Sequence, residues 1–106
     1  MIPKGGRPPM SVQMIRFRTH PDHRGATLNQ IEALFAGVHA AAPQQMQYIA
    51  LQETDEPVFT LILELPDGVE NPLPSIPAAA FFRSWLPTHA DDTAPRPCTV
   101  VGRYSA

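Results

Sequence analysis

Two groups of side chains in this chain have the chemistry to bind or transform a small molecule. Trp85 and His89 stand four residues apart at the close of an apolar segment. An indole and an imidazole beside one pocket can hold a planar ligand and move a proton, because imidazole titrates near neutral pH. Pro87 lies between them, so helical spacing cannot be assumed. The alternative is Trp85 as core filler and His89 as a loop residue. The second group is Arg16, Arg18 and Glu64. These share one face if their segments are strands, and neighbouring strands would set Glu64 beside one arginine. The other guanidinium would then be available to a carboxylate or phenolate. The alternative is an ion pair that fixes sheet register. Tyr48 and Tyr104 could add hydroxyls to a pocket or serve as amphipathic edge residues.

Other reactive side chains carry less. His20, Asp22 and His23, in the run HPDH, offer too few convergent ligands for a metal centre and are expected in an exposed turn. His39 falls away from an apolar stripe and is expected in solvent. Cys98 has no basic neighbour in its own turn and is expected to pack. No nucleophile elbow and no glycine-rich phosphate loop occurs, which removes the common hydrolase and nucleotide-binding classes. No metal and no cofactor is expected.

The elements that must position these groups follow from periodicity. Residues 12–19 alternate and predict a first strand, closed by His20-Pro21-Asp22. Leu28, Ile31, Phe35 and Val38, flanked by Leu34 and Ala42, recur at steps of three and four and predict a helix. Either Asp22 or Thr27 could cap it, and Pro43 bounds its end. Residues 45–52 alternate again. The polar run 53–56 then makes a hairpin into a third strand, VFTLILEL, at 58–65. Ser75 is expected to cap a second helix with Pro77 in its first turn and Ala78, Phe81, Phe82, Trp85 and Leu86 on its apolar side. Pro87 ends that helix, and residues 98–104 predict the closing strand.

The order β-α-β-β-α-β predicts an α+β ferredoxin-like sandwich, a four-stranded antiparallel sheet with two helices on one face. Strands one and three occupy the centre and strands four and two the edges. The uniformly apolar set Ile15, Phe17, Phe59, Leu61 and Leu63 is expected to face the helices. The other face would carry Val12, Met14, Arg16, Arg18, Val58, Thr60, Ile62 and Glu64. Each Val or Ile left in water forfeits roughly 1.5–3 kcal/mol, so a second copy is expected to cover that open sheet face as a homodimer.

Bulk composition agrees. The chain has 106 residues, 43% of them hydrophobic and only 17% charged, enough for one core and short of the usual charged surface. The net charge of -2 supplies no field for a phosphate backbone, so nucleic acid is not an expected partner. No apolar run approaches the ~18 residues of a membrane span, and no membrane association is expected. A single cysteine suits a reducing compartment and predicts a cytoplasmic location. The Gly- and Pro-rich start, MIPKGGRPPM, is expected to be a disordered tail over residues 1–11, leaving one domain over 12–106.

The first strand as MIRFRTHPD, the helix ending LFAGVHAAAP, the hairpin from MQYIAL to FTLILEL and the closing TVVGRYS together resemble the dimeric α+β barrel superfamily. Its best-known branch is the antibiotic-biosynthesis-monooxygenase-like proteins, and the likeness extends to an uncharacterised bacterial group there. The resemblance implies a dimeric α/β barrel, often with a small-molecule pocket between sheet and helices. It also implies cofactor-independent oxidation of an aromatic compound. Such monooxygenases use an Asn on the first strand and a Trp near the second helix. Trp85 matches by type, and residues 12–19 hold no Asn. Haem-degrading relatives place a His ligand after that Trp, where His89 stands closer than their pattern. Trp85, which matches the resemblance by type, and His89, by its own chemistry, are the catalytic candidates, and the side-chain chemistry of Arg16, Arg18, Tyr48 and Glu64 makes them the expected binders of a small aromatic or anionic ligand. The alternative is a non-catalytic ligand-binding or structural homodimer.

Overall fold

The structure, a computed structural model, describes residues 10–104. The chain runs β1 (Met10–Arg18), α1 (Arg24–Ala41), β2 (Gln47–Gln52), β3 (Val58–Pro66), α2 (Pro77–Trp85) and β4 (Arg96–Cys98), with 3-10 turns at Pro21–His23, Leu73–Ser75 and Leu86–Thr88. The strands form one antiparallel sheet in the order β2-β3-β1-β4, with the first and third strands central as expected. This α+β arrangement is compatible with a ferredoxin-like fold. Most of the expected tail lies outside the described residues, and β1 already begins at Met10, ahead of the Val12 start that alternation predicts.

Both helices pack on the same side of the sheet. Phe17, Phe59 and Leu61 join Leu34 and Val38 of α1 and Ala79 and Phe82 of α2 in one buried cluster, with Ile15 packed against it. Phe17 and Phe59 face each other across the β1–β3 ladder, and their rings stack at 5.6 Å, adding offset-stacking attraction to the area they bury. The helix stripe begins one position earlier than expected. Thr27, Ile31, Leu34 and Val38 turn toward the sheet, while Leu28 is left exposed. Thr27 can be fully buried because its hydroxyl donates to the His23 carbonyl at 2.8 Å, so no polar group is stranded. On α2 the inward set is Ala79 and Phe82, continued by Leu86, and Phe81 points to solvent. Gly37 lets the helices meet: a Cβ there would come within 2.5 Å of the Ala78 Cβ.

The helix starts also differ from expectation. α1 follows the turn Pro21–His23, whose cap is His20, with Nδ1 accepting from the Asp22 amide at 3.2 Å. Neither Asp22 nor Thr27 caps α1, since Thr27 bonds back to His23 from inside the first turn. Ser75 does not cap α2; its hydroxyl donates to the Pro72 carbonyl at 2.8 Å, and the cap position is Ile76. Pro77 does occupy the first turn, where its missing amide costs little. β2 starts at Gln47 because Gln45 adopts a left-handed φ of 62°, which breaks extended pairing.

The largest correction concerns the last strand, expected over residues 98–104 and found at Arg96–Cys98. Val12 faces Cys98 and Met14 faces Arg96, so the chain beyond Cys98 runs toward the start of β1. Residues 99–104 leave the sheet, with Val101 98% and Tyr104 89% exposed. Pro97 is tolerated because β4 is an edge strand. The opposite edge is β2, QYIALQ, which carries neither proline nor charge.

The sheet side away from the helices is mixed, with an apolar row across its middle. Met14 and Ile49 flank Ile62, Val12 and Gln47 flank Glu64, and Arg16 and Leu51 flank Thr60. Ile49 and Leu51 are each about half exposed. Val58, expected on this side, is instead fully buried at the strand's start.

Candidate functional site

A cleft of about 460 Å³ opens between the helix-facing side of the sheet and α2, within the roughly 300–1,000 Å³ of small-molecule sites. Ile15, Leu61 and Leu63 form its floor, Ala79, Phe82 and Leu86 its wall, and the proline-rich connectors at Leu73-Pro74 and Thr93-Ala94-Pro95 its rim. The strand period places the floor residues, and the helical spacing 79, 82, 86 places the wall. Few polar groups enter: Gln13, Tyr48, Asn71, Arg83 and Thr93.

Tyr48 is the one sequence-predicted site residue in this cleft. Its ring stacks on Phe35 at 5.0 Å and 13°, and burial pushes its phenol from 10.0 up to about 12. Water is withdrawn from the oxygen, which disfavours the phenolate. The sign of the linkage follows. The folded-state value exceeds the unfolded one, so the stability this group confers is intact below pH 10 and lost as pH rises toward 12, because only the unfolded chain readily ionises there. Urea midpoints measured from pH 9 to 11 are expected to fall in the native protein, and Tyr48→Phe is expected to flatten that slope.

Trp85 and His89 do come together, at 4.0 Å between ring centroids and 15° between planes. Pro87 does not separate them because the 3-10 turn after α2 carries His89 back over the indole. The Thr88 hydroxyl donates to the Trp85 carbonyl at 2.5 Å, and His89 Nδ1 lies 2.6 Å from that hydroxyl oxygen and 3.2 Å from the same carbonyl. A carbonyl only accepts, so a hydrogen bond from the ring to it requires the Nδ1–H tautomer, which leaves a lone pair on Nε2. That tautomer suits a base or a metal ligand. Its position does not suit the cleft: Trp85 and His89 are absent from the cleft lining, and His89 faces a more open groove along the free edge of β1. His23 lies 5.5 Å from His89 on that side.

The arginine–glutamate group is dispersed. Arg16 pairs with Glu53 at 2.5 Å, not with Glu64, and Arg18 sits opposite Val58. Both arginines line the groove that holds His20, His23 and His89. Glu64 stands opposite Val12 on the open sheet face and takes its ion pair from Arg103. The expected Arg–Glu contact fails because register sets Glu64 opposite Val12, four pairs from Arg16 along β1, while the chain leaving β4 returns Arg103 to it. His20 and His23 are exposed as expected, as is His39. Among the described residues, no group of three or more His, Cys, Asp or Glu side chains is placed to hold a metal ion, and no helix is long and apolar enough to cross a membrane.

The polar cleft residues that sequence reasoning missed are Gln13, Asn71, Arg83 and Thr93. Gln13 carried a signal, as a polar residue in phase with Ile15 and Phe17 on the helix-facing side. Asn71 and Arg83 carried none, because a connector's path and a short helix's rotation decide where they point. In comparison with known proteins, no family model matches the chain, and no curated protein sequence matches it.

Proposed function

We propose that this chain is a small-molecule-binding protein of the ferredoxin-like, dimeric α+β barrel type, holding a compact apolar compound with a ring in the cleft between the sheet and α2. The observation that carries the reading is the cleft itself, an aliphatic floor and wall with a few convergent polar groups, the composition of sites that bind by burial and orient by hydrogen bonds. A homodimer through the open sheet face completes the proposal. Its support is the apolar row Met14, Ile62 and Ile49, on which neither helix packs, since such a patch gains stability when covered. Sedimentation at micromolar concentration reads a dimer if this is right, and a monomer overturns that part.

Binding without chemistry is the version we adopt. Cofactor-independent oxidation of the ligand asks for a base within reach of it, and His89 opens on the other groove. 1-Naphthalenemethanol, an uncharged aromatic of suitable size, tests the cleft by nuclear magnetic resonance titration. The amides that shift are expected to cluster at residues 13–15, 61–63 and 79–86. Ala80→Trp, at an exposed position of the lining, is expected to weaken binding ~100-fold, roughly 2.7 kcal/mol. Shifts clustered elsewhere, or affinity indifferent to Ala80→Trp, overturn the reading.

A further inference from the structure

We infer that the ligand of this cleft is an anion, a compact ring-bearing carboxylic acid whose carboxylate is held by Arg83. The inference rests on the cleft being a ligand site and adds the charge of what enters it. Arg83 projects from α2 into the cleft lining and has no ion-pair partner among the described residues. Three other arginines there are paired: Arg16 with Glu53, Arg96 with Asp92 and Arg103 with Glu64. No Asp or Glu lines the cleft, so nothing in it competes for the guanidinium.

The remaining polar groups also supply donors. Asn71 spends its Oδ1 on the Leu73 amide at 3.0 Å, which leaves its NH₂ to give. The Tyr48 hydroxyl stays protonated, its phenol pushed up to about 12 by burial alone, and can donate into the cleft. Gln13 can give or accept. A cation and two donors beside an aliphatic floor match an apolar body ending in a carboxylate. A guanidinium fork fits that group with two parallel hydrogen bonds. Arg83 is exposed, so the pair forms at the rim while the ring enters toward Ile15, Leu61 and Leu63.

Calorimetric titration of the full chain with 1-naphthoate and with 1-naphthalenemethanol tests this, since the two share a ring system and differ in charge. At low salt the carboxylate is expected to bind ~10-fold more tightly, the size of a partly solvated charge-assisted contact, and the preference is expected to shrink as salt is raised. Arg83→Gln is expected to erase the preference by weakening the carboxylate's binding more than the alcohol's. Equal binding of the two compounds, or a preference that survives Arg83→Gln, overturns the anion assignment while leaving the cleft as a site for neutral ligands. Failure of both compounds to bind the native protein removes the cleft reading and this inference with it.

Discussion

Replacing Gly37 with leucine is expected to destabilise the protein by ~3 kcal/mol, the upper part of the usual range for overpacking. Even a single methyl group at this position would lie 2.5 Å from the Ala78 Cβ, far inside the ~3.5–4 Å optimum for two carbons. The obstacle is rigid, because a Cβ is fixed by its own helix backbone and has no torsion through which to move aside. The helices must separate, and separation opens gaps around Leu34, Ala79 and Phe82, which share the cluster beneath. Leucine's better helix propensity returns only about 1 kcal/mol, so the steric term wins. Ala36→Leu adds comparable volume one residue earlier at an exposed site and is expected to change stability by less than ~0.5 kcal/mol. Urea denaturation of both variants checks the pair, and equal midpoints would refute the close helix contact.

If two copies pair through the open sheet face as proposed, Ile62→Glu is expected to leave a monomer, with the dimer's dissociation constant raised at least ~100-fold. Ile62 stands between Met14 and Ile49 at the centre of the open sheet face. A carboxylate there would have to be stripped of water against a second copy without a partner cation, which costs several kcal/mol. Within one chain the same side chain remains half-exposed, so the fold is expected to survive. Sedimentation velocity with circular dichroism separates the two effects. A variant that stays dimeric with an unchanged spectrum moves the interface away from this face.

What was legible in the sequence is what periodicity controls. Alternation put Phe17, Phe59, Leu61 and Leu63 on the covered side of the sheet, and the structure buries all four. The strand order followed from the alternation of strands and helices. Registry and rotation were not legible. Residues 98–104 read as a strand because TVVGRY has strand composition, but a strand exists only against a partner, and the ladder between β4 and β1 ends at the Val12–Cys98 pair. One step of rotation exchanged Leu28 for Thr27 inside, and Phe81 turned outward on α2. The candidate site divided for the same reason. Tyr48 reached the cleft through strand period alone, whereas Arg83 depended on the rotation of a nine-residue helix. Trp85 and His89 met through a 3-10 turn, a geometry that four-residue spacing interrupted by proline does not announce.

The two borders of the sheet are unlike. β4 offers three residues, one of them Pro97, with Pro95 just before them, while β2 presents six residues free of proline and charge. A filament of sheets needs two receptive borders on every subunit. Among the described residues the sheet has one, so two copies joined border to border through β2, a contact apart from the proposed pairing of open faces, would consume both docking edges and stop growing at a pair.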